Sequence, residues 1–259
     1  MRRSALLVAA FLLFSVGYST GESNDNDQKT YLAGVTERGR ALYAYDQAAW
    51  HGTDAFFALK PDTKGLTHYI CRKSTSGWVV SFGNWNDAHD KLSIVYEARE
   101  TGDSGKYKAR KYDPPIEASA ELTAMERGLE LAIHDFGTQT RQHNTAILPA
   151  AGGKLFIYIY PGQTKENVWP LGGDVRYTIS ADGKQIVEKR QLHKGVMDME
   201  YKPGSGAVSG VHSHILSDVP EDTDVLYVLT RKPSIPEYIA TQKEKFVVNV
   251  DGSIALVEK

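Results

Sequence analysis

Apolar residues along this chain change their period several times, and each change marks an element. Over residues 36–59, Leu42, Tyr45, Ala49 and Phe56 recur at helical spacing, interrupted near Gly52 and closed by Pro61, which predicts one helix or two short ones. From residue 68 to 98 the period shortens. Segments 68–72, 77–83 and 91–98 are rich in aromatic and β-branched residues and are separated by polar clusters, the pattern of an antiparallel meander. Trp78, Phe82, Trp85 and Tyr96 read as its packing surface. Pro114 and Pro115 are expected to end whatever precedes them.

Residues 117–136 carry the strongest helical pattern. Leu122, Met125, Leu129, Ala132, Ile133 and Phe136 form one apolar stripe, Glu117 and Glu121 favour the positive end of the dipole, and Gly137 provides a stop. Beyond it, Leu155, Ile157 and Ile159 alternate with Phe156, Tyr158 and Tyr160, so both faces of that strand are apolar or aromatic and it belongs in the middle of a sheet. Asp182-Gly183 and Asp251-Gly252 each divide two strand-like runs, as hairpin turns do. Further strands are expected at 207–214, 225–231 and 237–241. The fold class is therefore α+β: an antiparallel multi-stranded sheet packed by one long amphipathic helix, with a smaller N-terminal helix-and-meander half. Residues 31–101 and 117–259 form the two parts, divided by a soft boundary at 102–116 that leaves room for a shared sheet.

The first residues modify this picture by giving it an address. Met1, Arg2 and Arg3 precede an apolar run from Ala5 to Phe14, and small residues follow near Gly17 and Ser19, which is the layout of a secretory signal peptide over residues 1–19. The run is about ten residues, against the roughly 20 needed to span a bilayer as a helix, so no stable membrane insertion is expected after cleavage. Residues 20–30 are polar and read as a flexible leader. Cys71 is the only cysteine, so neither an internal disulfide nor a cysteine zinc knuckle can form. Export without disulfides fits a bacterial periplasm. With 30 Lys and Arg against 32 Asp and Glu, and no long block of either sign, the chain has no nucleic-acid footprint.

Candidate chemistry is concentrated in one place. His212 and His214 lie two apart in a predicted strand, so both project to one side, about 7 Å apart along the backbone, and can share a metal ion. Asp218, Asp222 and Asp224 follow as oxygen donors. Of these Asp224, at the start of the predicted strand 225–231, is the one presented rigidly, so His212, His214 and Asp224 form the expected ligand set, with zinc as the implied ion. His193 is an alternative third ligand from a neighbouring strand. The bland reading leaves two surface histidines beside a solvated acidic turn. Asp174 and Arg176 share a strand face and are expected to pair with each other, while Gly172-Gly173 reads as a bulge or tight turn.

The order of a His-x-His strand, an acidic residue about ten positions on and two further strands, over residues 208–256, resembles the JAMM family of zinc isopeptidases. That family has a serine eight and an aspartate ligand eleven positions after the second histidine. Here those places hold Asp222 and Val225, with Asp224 one residue short. The family's separate glutamate would fall to Glu97 or Glu188. A longer stretch is similar to an uncharacterised family of exported bacterial proteins. It runs through Asp46-Gln-Ala-Ala-Trp50, Gly77-Trp78, Asn144-Thr-Ala-Ile-Leu-Pro149, Gly172-Gly-Asp-Val-Arg176, Ser180-Ala-Asp-Gly183, Leu192-His-Lys194 and Pro220-Glu-Asp-Thr-Asp224. Two functions follow as expectations. The first is an exported bacterial envelope protein acting as a non-catalytic binding or accessory module for a periplasmic ligand or protein. The alternative is a zinc-dependent amide hydrolase using His212, His214 and Asp224.

Overall fold

The computed structural model describes residues 22–102, 105–202 and 204–257. The expected signal peptide, together with Thr20 and Gly21, lies outside these residues. The chain opens with helix α1 (Glu22–Ala58), followed by a meander of β1 (Tyr69–Ser74), β2 (Gly77–Trp85), β3 (Leu92–Glu100) and β4 (Tyr107–Glu117) in the sheet order β1-β2-β3-β4. Helix α2 (Ala120–Phe136) leads into β5 (His143–Pro149), β6 (Leu155–Pro161), β7 (Val168–Gly172), β8 (Val175–Ile179) and β9 (Ile186–Gln191). Strands β5, β6, β8 and β9 make a second antiparallel sheet in that order, with β6 internal as its two apolar faces require. Then come β10 (Val196–Glu200), which pairs with β7, and β11 (Gly210–Ser213). Helix α3 (Asp222–Thr230), β12 (Glu237–Ala240), β13 (Lys245–Val248) and β14 (Ile254–Leu256) complete the described chain.

The architecture is α+β. Pairing is antiparallel apart from β11 with β12, which run parallel in the last sheet, β11-β12-β13-β14. The strands of the described residues thus divide among four sheets, where the sequence suggested a meander and one further sheet with room for the two to join. Helix α2 is capped by the Ser119 side chain, which accepts from the Leu122 N–H, and Leu122, Met125, Leu129 and Ala132 are buried on its inner stripe. Leu129 and Ala132 share a core with Leu42 and Phe56 of α1, Val80 and Ile94 of the meander, and Ile157 and Tyr177 of the second sheet. A second core joins Leu32 and Val35 of α1 to Val225 and Val228 of α3 and to Ile239 and Phe246 of the last sheet.

Four expectations change. The polar leader is not separate from the fold, because residues 22–30 belong to α1, whose Gln28 amide donates to Glu244 at 2.5 Å. Gly52 does not break this helix. Pro114 and Pro115 lie inside β4, an edge strand, beside a register shift opposite Ile94 and Tyr96, where missing ladder donors are tolerated. Finally, the run 225–231 is not a strand. Glu221 caps α3 reciprocally with Asp224, and Val225, Leu226, Tyr227 and Val228 are all buried, so an apolar run with no exposed face conceals its helical period. At Gly39 helix α1 crosses α3 so closely that an added Cβ would lie 2.3 Å from the Val225 Cβ. Among the described residues no helix is long and apolar enough to cross a membrane.

Candidate metal centre

Strand β11 and the residue that follows it carry the histidine pair. The His214 N–H continues the ladder by donating to the Ala240 carbonyl at 2.9 Å, so alternation puts both imidazoles on one side. Asp224 occupies the third position of α3, where its Oδ2 accepts the Glu221 N–H at 2.7 Å. His193, just after β9, completes the group. All four side chains are buried, and one ligand atom from each lies within 4.8 Å of the others.

The approach of His193 depends on the turn between β7 and β8. Gly172 has φ of 82°, and a Cβ there would meet the His193 Cβ at 3.0 Å and the Gly195 carbonyl at 2.4 Å. The glycine pair expected to form a tight turn does so, and its packing role is to let the His193 loop close.

Each imidazole is held from behind. His193 Nδ1 lies 2.8 Å from Asp174 Oδ1, His212 Nδ1 lies 2.9 Å from Glu237 Oε1, and His214 Nδ1 lies 3.0 Å from the Val219 carbonyl. These partners accept and do not donate, so every Nδ1 carries a proton and every Nε2 of a neutral ring is left with a lone pair. The Nε2 atoms nevertheless converge: His193 to His214 at 2.9 Å and His212 to His214 at 3.1 Å. Asp224 joins them, with Oδ1 at 3.2 Å from both His193 and His212 Nε2, and Oδ2 at 3.3 Å from His214 Nε2. Beyond these rings Asp224 Oδ1 has no hydrogen-bond partner among the described residues. Four groups with acceptor lone pairs facing one another need positive charge among them, supplied either by protons on Nε2 or by a metal ion, which the cluster could hold. A tetrahedron of ligands about 2.0–2.1 Å from a central ion has edges of roughly 3.3 Å, close to the observed separations.

The carboxylates around the rings favour positive charge there. Burial opposes charge on His193, but the Asp224 and Asp174 carboxylates outweigh it and raise its pKa to about 11. His212 follows the same balance, raised to about 9 by Asp224 and Glu237 against the cost of burial. Burial would raise the Asp224 carboxyl, yet His193, His212 and His214 hold it well below the ordinary range. Asp224, Asp174 and Glu237 bring three negative charges to the imidazoles, and Arg231, 2.8 Å from Glu237, offsets one. A divalent ion matches the remainder.

The other acidic residues go elsewhere. Asp222 faces away from the histidines and takes Arg38, Arg176 and the Tyr158 hydroxyl, the last at 2.7 Å. Arg176 therefore pairs with Asp222 and Asp174 with His193, which replaces the expected Asp174–Arg176 pair. Asp218 pairs with Lys243 at the surface. Glu97 is bound by Arg99, Arg110 and Tyr112 on the first sheet, and Glu188 accepts from Thr178 in the second, so neither contacts the cluster. The pattern of the sequence supplied His212, His214 and Asp224 and offered His193 as a substitute, whereas the structure brings all four together. It carried no sign of Asp174 or Glu237 as supporting acceptors, because a carboxylate behind an imidazole has no fixed spacing from it in sequence.

Comparison of the chain with protein-family models, curated proteins and solved structures finds no match.

Proposed function

We propose that this is an exported bacterial envelope protein built around a zinc ion held by His193, His212, His214 and Asp224, and that it works as a non-catalytic binding module. The carrying observation is the convergence of three Nε2 atoms and a carboxylate, each imidazole fixed by an acceptor at its other nitrogen. Imidazole and carboxylate donors suit zinc, and four protein ligands fill a tetrahedral shell in the manner of structural sites. The amide-hydrolase alternative has less support, since it needs a water in that shell, and His193 takes the fourth place. Export rests on the charged, then apolar, start of the chain.

The binding reading draws on a cavity of about 450 Å³ beside the centre, lined by Tyr43, Trp50, Asn144, Gln163, Trp169 and Lys232 among others. Asp174 also faces it, so the residue that orients His193 forms part of its wall. Metal analysis of the untagged mature protein tests the proposal. About one tightly held zinc per chain is expected, lost when His212 and His214 are both replaced by Ala. A parent protein that takes up no transition metal at micromolar concentrations near neutral pH would overturn it.

A further inference from the structure

A second group of ligand-type side chains lies between α2 and the meander. Glu126 and Glu130 are one helical turn apart on α2, so their carboxylates share a face. His68, immediately before β1, meets them there: its Nδ1 is 3.1 Å from Glu126 Oε1, and its backbone N–H donates to the same oxygen at 3.3 Å. One ligand atom from each of His68, Glu126 and Glu130 lies within 4.8 Å of the others.

Two features distinguish this group from an ordinary ion pair. Glu126 is 0% exposed, and its Oε2 has no hydrogen-bond partner among the described residues, an arrangement costly for a carboxylate unless a cation approaches it. Glu130 is oriented as a supported ligand would be, with Oε1 accepting from Trp85 Nε1 at 2.8 Å and Oε2 facing His89 Nε2 at 3.0 Å. Two carboxylates a turn apart also repel each other until a positive charge joins them.

We propose that His68, Glu126 and Glu130 form a second centre for a divalent first-row transition ion, with part of its coordination shell open. Three protein ligands leave at least one position free, the arrangement of sites that bind water or an exogenous ligand on the metal. His68 is exposed and lines a cleft of about 610 Å³, walled by Phe56, Phe82, Ile133 and Phe136, so one of the three ligands borders a space that a small molecule can enter. The chemistry differs from the buried centre. There four ligands enclose the ion; here an oxygen donor from outside completes the shell.

Zinc titration of the full mature chain, stripped with chelator and followed by calorimetry, tests the assignment. The parent should bind two equivalents, the second more weakly. Glu130→Gln and His68→Gln should each weaken that second equivalent by about tenfold or more and leave the tighter one unchanged, whereas replacing His212 and His214 by Ala should remove the tighter one alone. His68→Gln, at an exposed position, keeps the test valid if Glu130→Gln folds poorly, and a circular dichroism spectrum monitors both. Should the buried centre bind nothing, a single equivalent sensitive to His68→Gln would still uphold this site. Absence of any equivalent sensitive to His68→Gln and Glu130→Gln would overturn it.

Discussion

Three imidazoles with every Nδ1 engaged are reconciled at Nε2 only by positive charge, and that restriction at the level of single atoms is what makes the cluster able to hold a metal ion. Two of its members were legible from strand alternation alone, since a His-x-His spacing puts both rings on one side wherever the strand lies. Asp174 and Glu237 were not, because their roles depend on which strands become neighbours. Their importance is testable. Asp174→Asn should weaken zinc binding by about 10–100-fold, as loss of a carboxylate behind a ligating histidine does, measured by competition with a chromophoric chelator; unchanged affinity would leave Asp174 as cavity lining only. Glu97 offers a separate test in the first sheet. Burial raises its carboxyl, but hydrogen bonds from Tyr112, Arg110 and Arg99 prevail and hold its pKa below the ordinary value. A folded value below the unfolded one means its stabilisation is present above the unfolded pKa and is lost as pH falls through the folded pKa. Denaturant midpoints of Glu97→Gln should therefore lie below the parent's near neutrality and converge with them in acid. A constant gap across that range would contradict the ion-pair account.

Among the elements, legibility followed exposure. Helix α2 has one buried and one solvated face, so its period was visible; α3 is buried along seven consecutive residues, Asp222 to Val228, and its apolar part reads as a strand in the sequence. The start of α1 misled in the opposite sense. Its polar residues gave no periodic signal, yet the helix reaches Glu22 because Leu32 and Val35 anchor the following turns in the second core. Leu129 tests the packing of α2 directly. It is 0% exposed within the shared core, and an aspartate there lacks a partner, at a cost of several kcal/mol. That approaches or exceeds half the margin of a typical domain, so Leu129→Asp should lose cooperative thermal unfolding or melt far below the parent. Near-normal melting would show that the stripe is not the buried face.

At the scale of the whole molecule, the acidic corner before and within α3 ties the parts together. Glu221 takes Arg190 of the second sheet, Asp222 takes Arg38 of α1 and Arg176 of β8, and Asp224 faces histidines from the β9 end and the last sheet. The α+β class was readable from the sequence, but the division into four sheets and the parallel β11–β12 pair were not, since pairing partners are chosen by tertiary packing. A metal at this corner would join three separate segments, the end of β9, the end of β11 and the first turn of α3. An anomalous-difference map at the zinc edge, from crystals of chain purified without chelator, measures its location most directly. The account predicts a peak about 2.0–2.2 Å from the Nε2 atoms of His193, His212 and His214 and from an Asp224 carboxylate oxygen. A map with no peak among these four side chains, or a peak coordinated by His212 and His214 without His193 and Asp224, would contradict it.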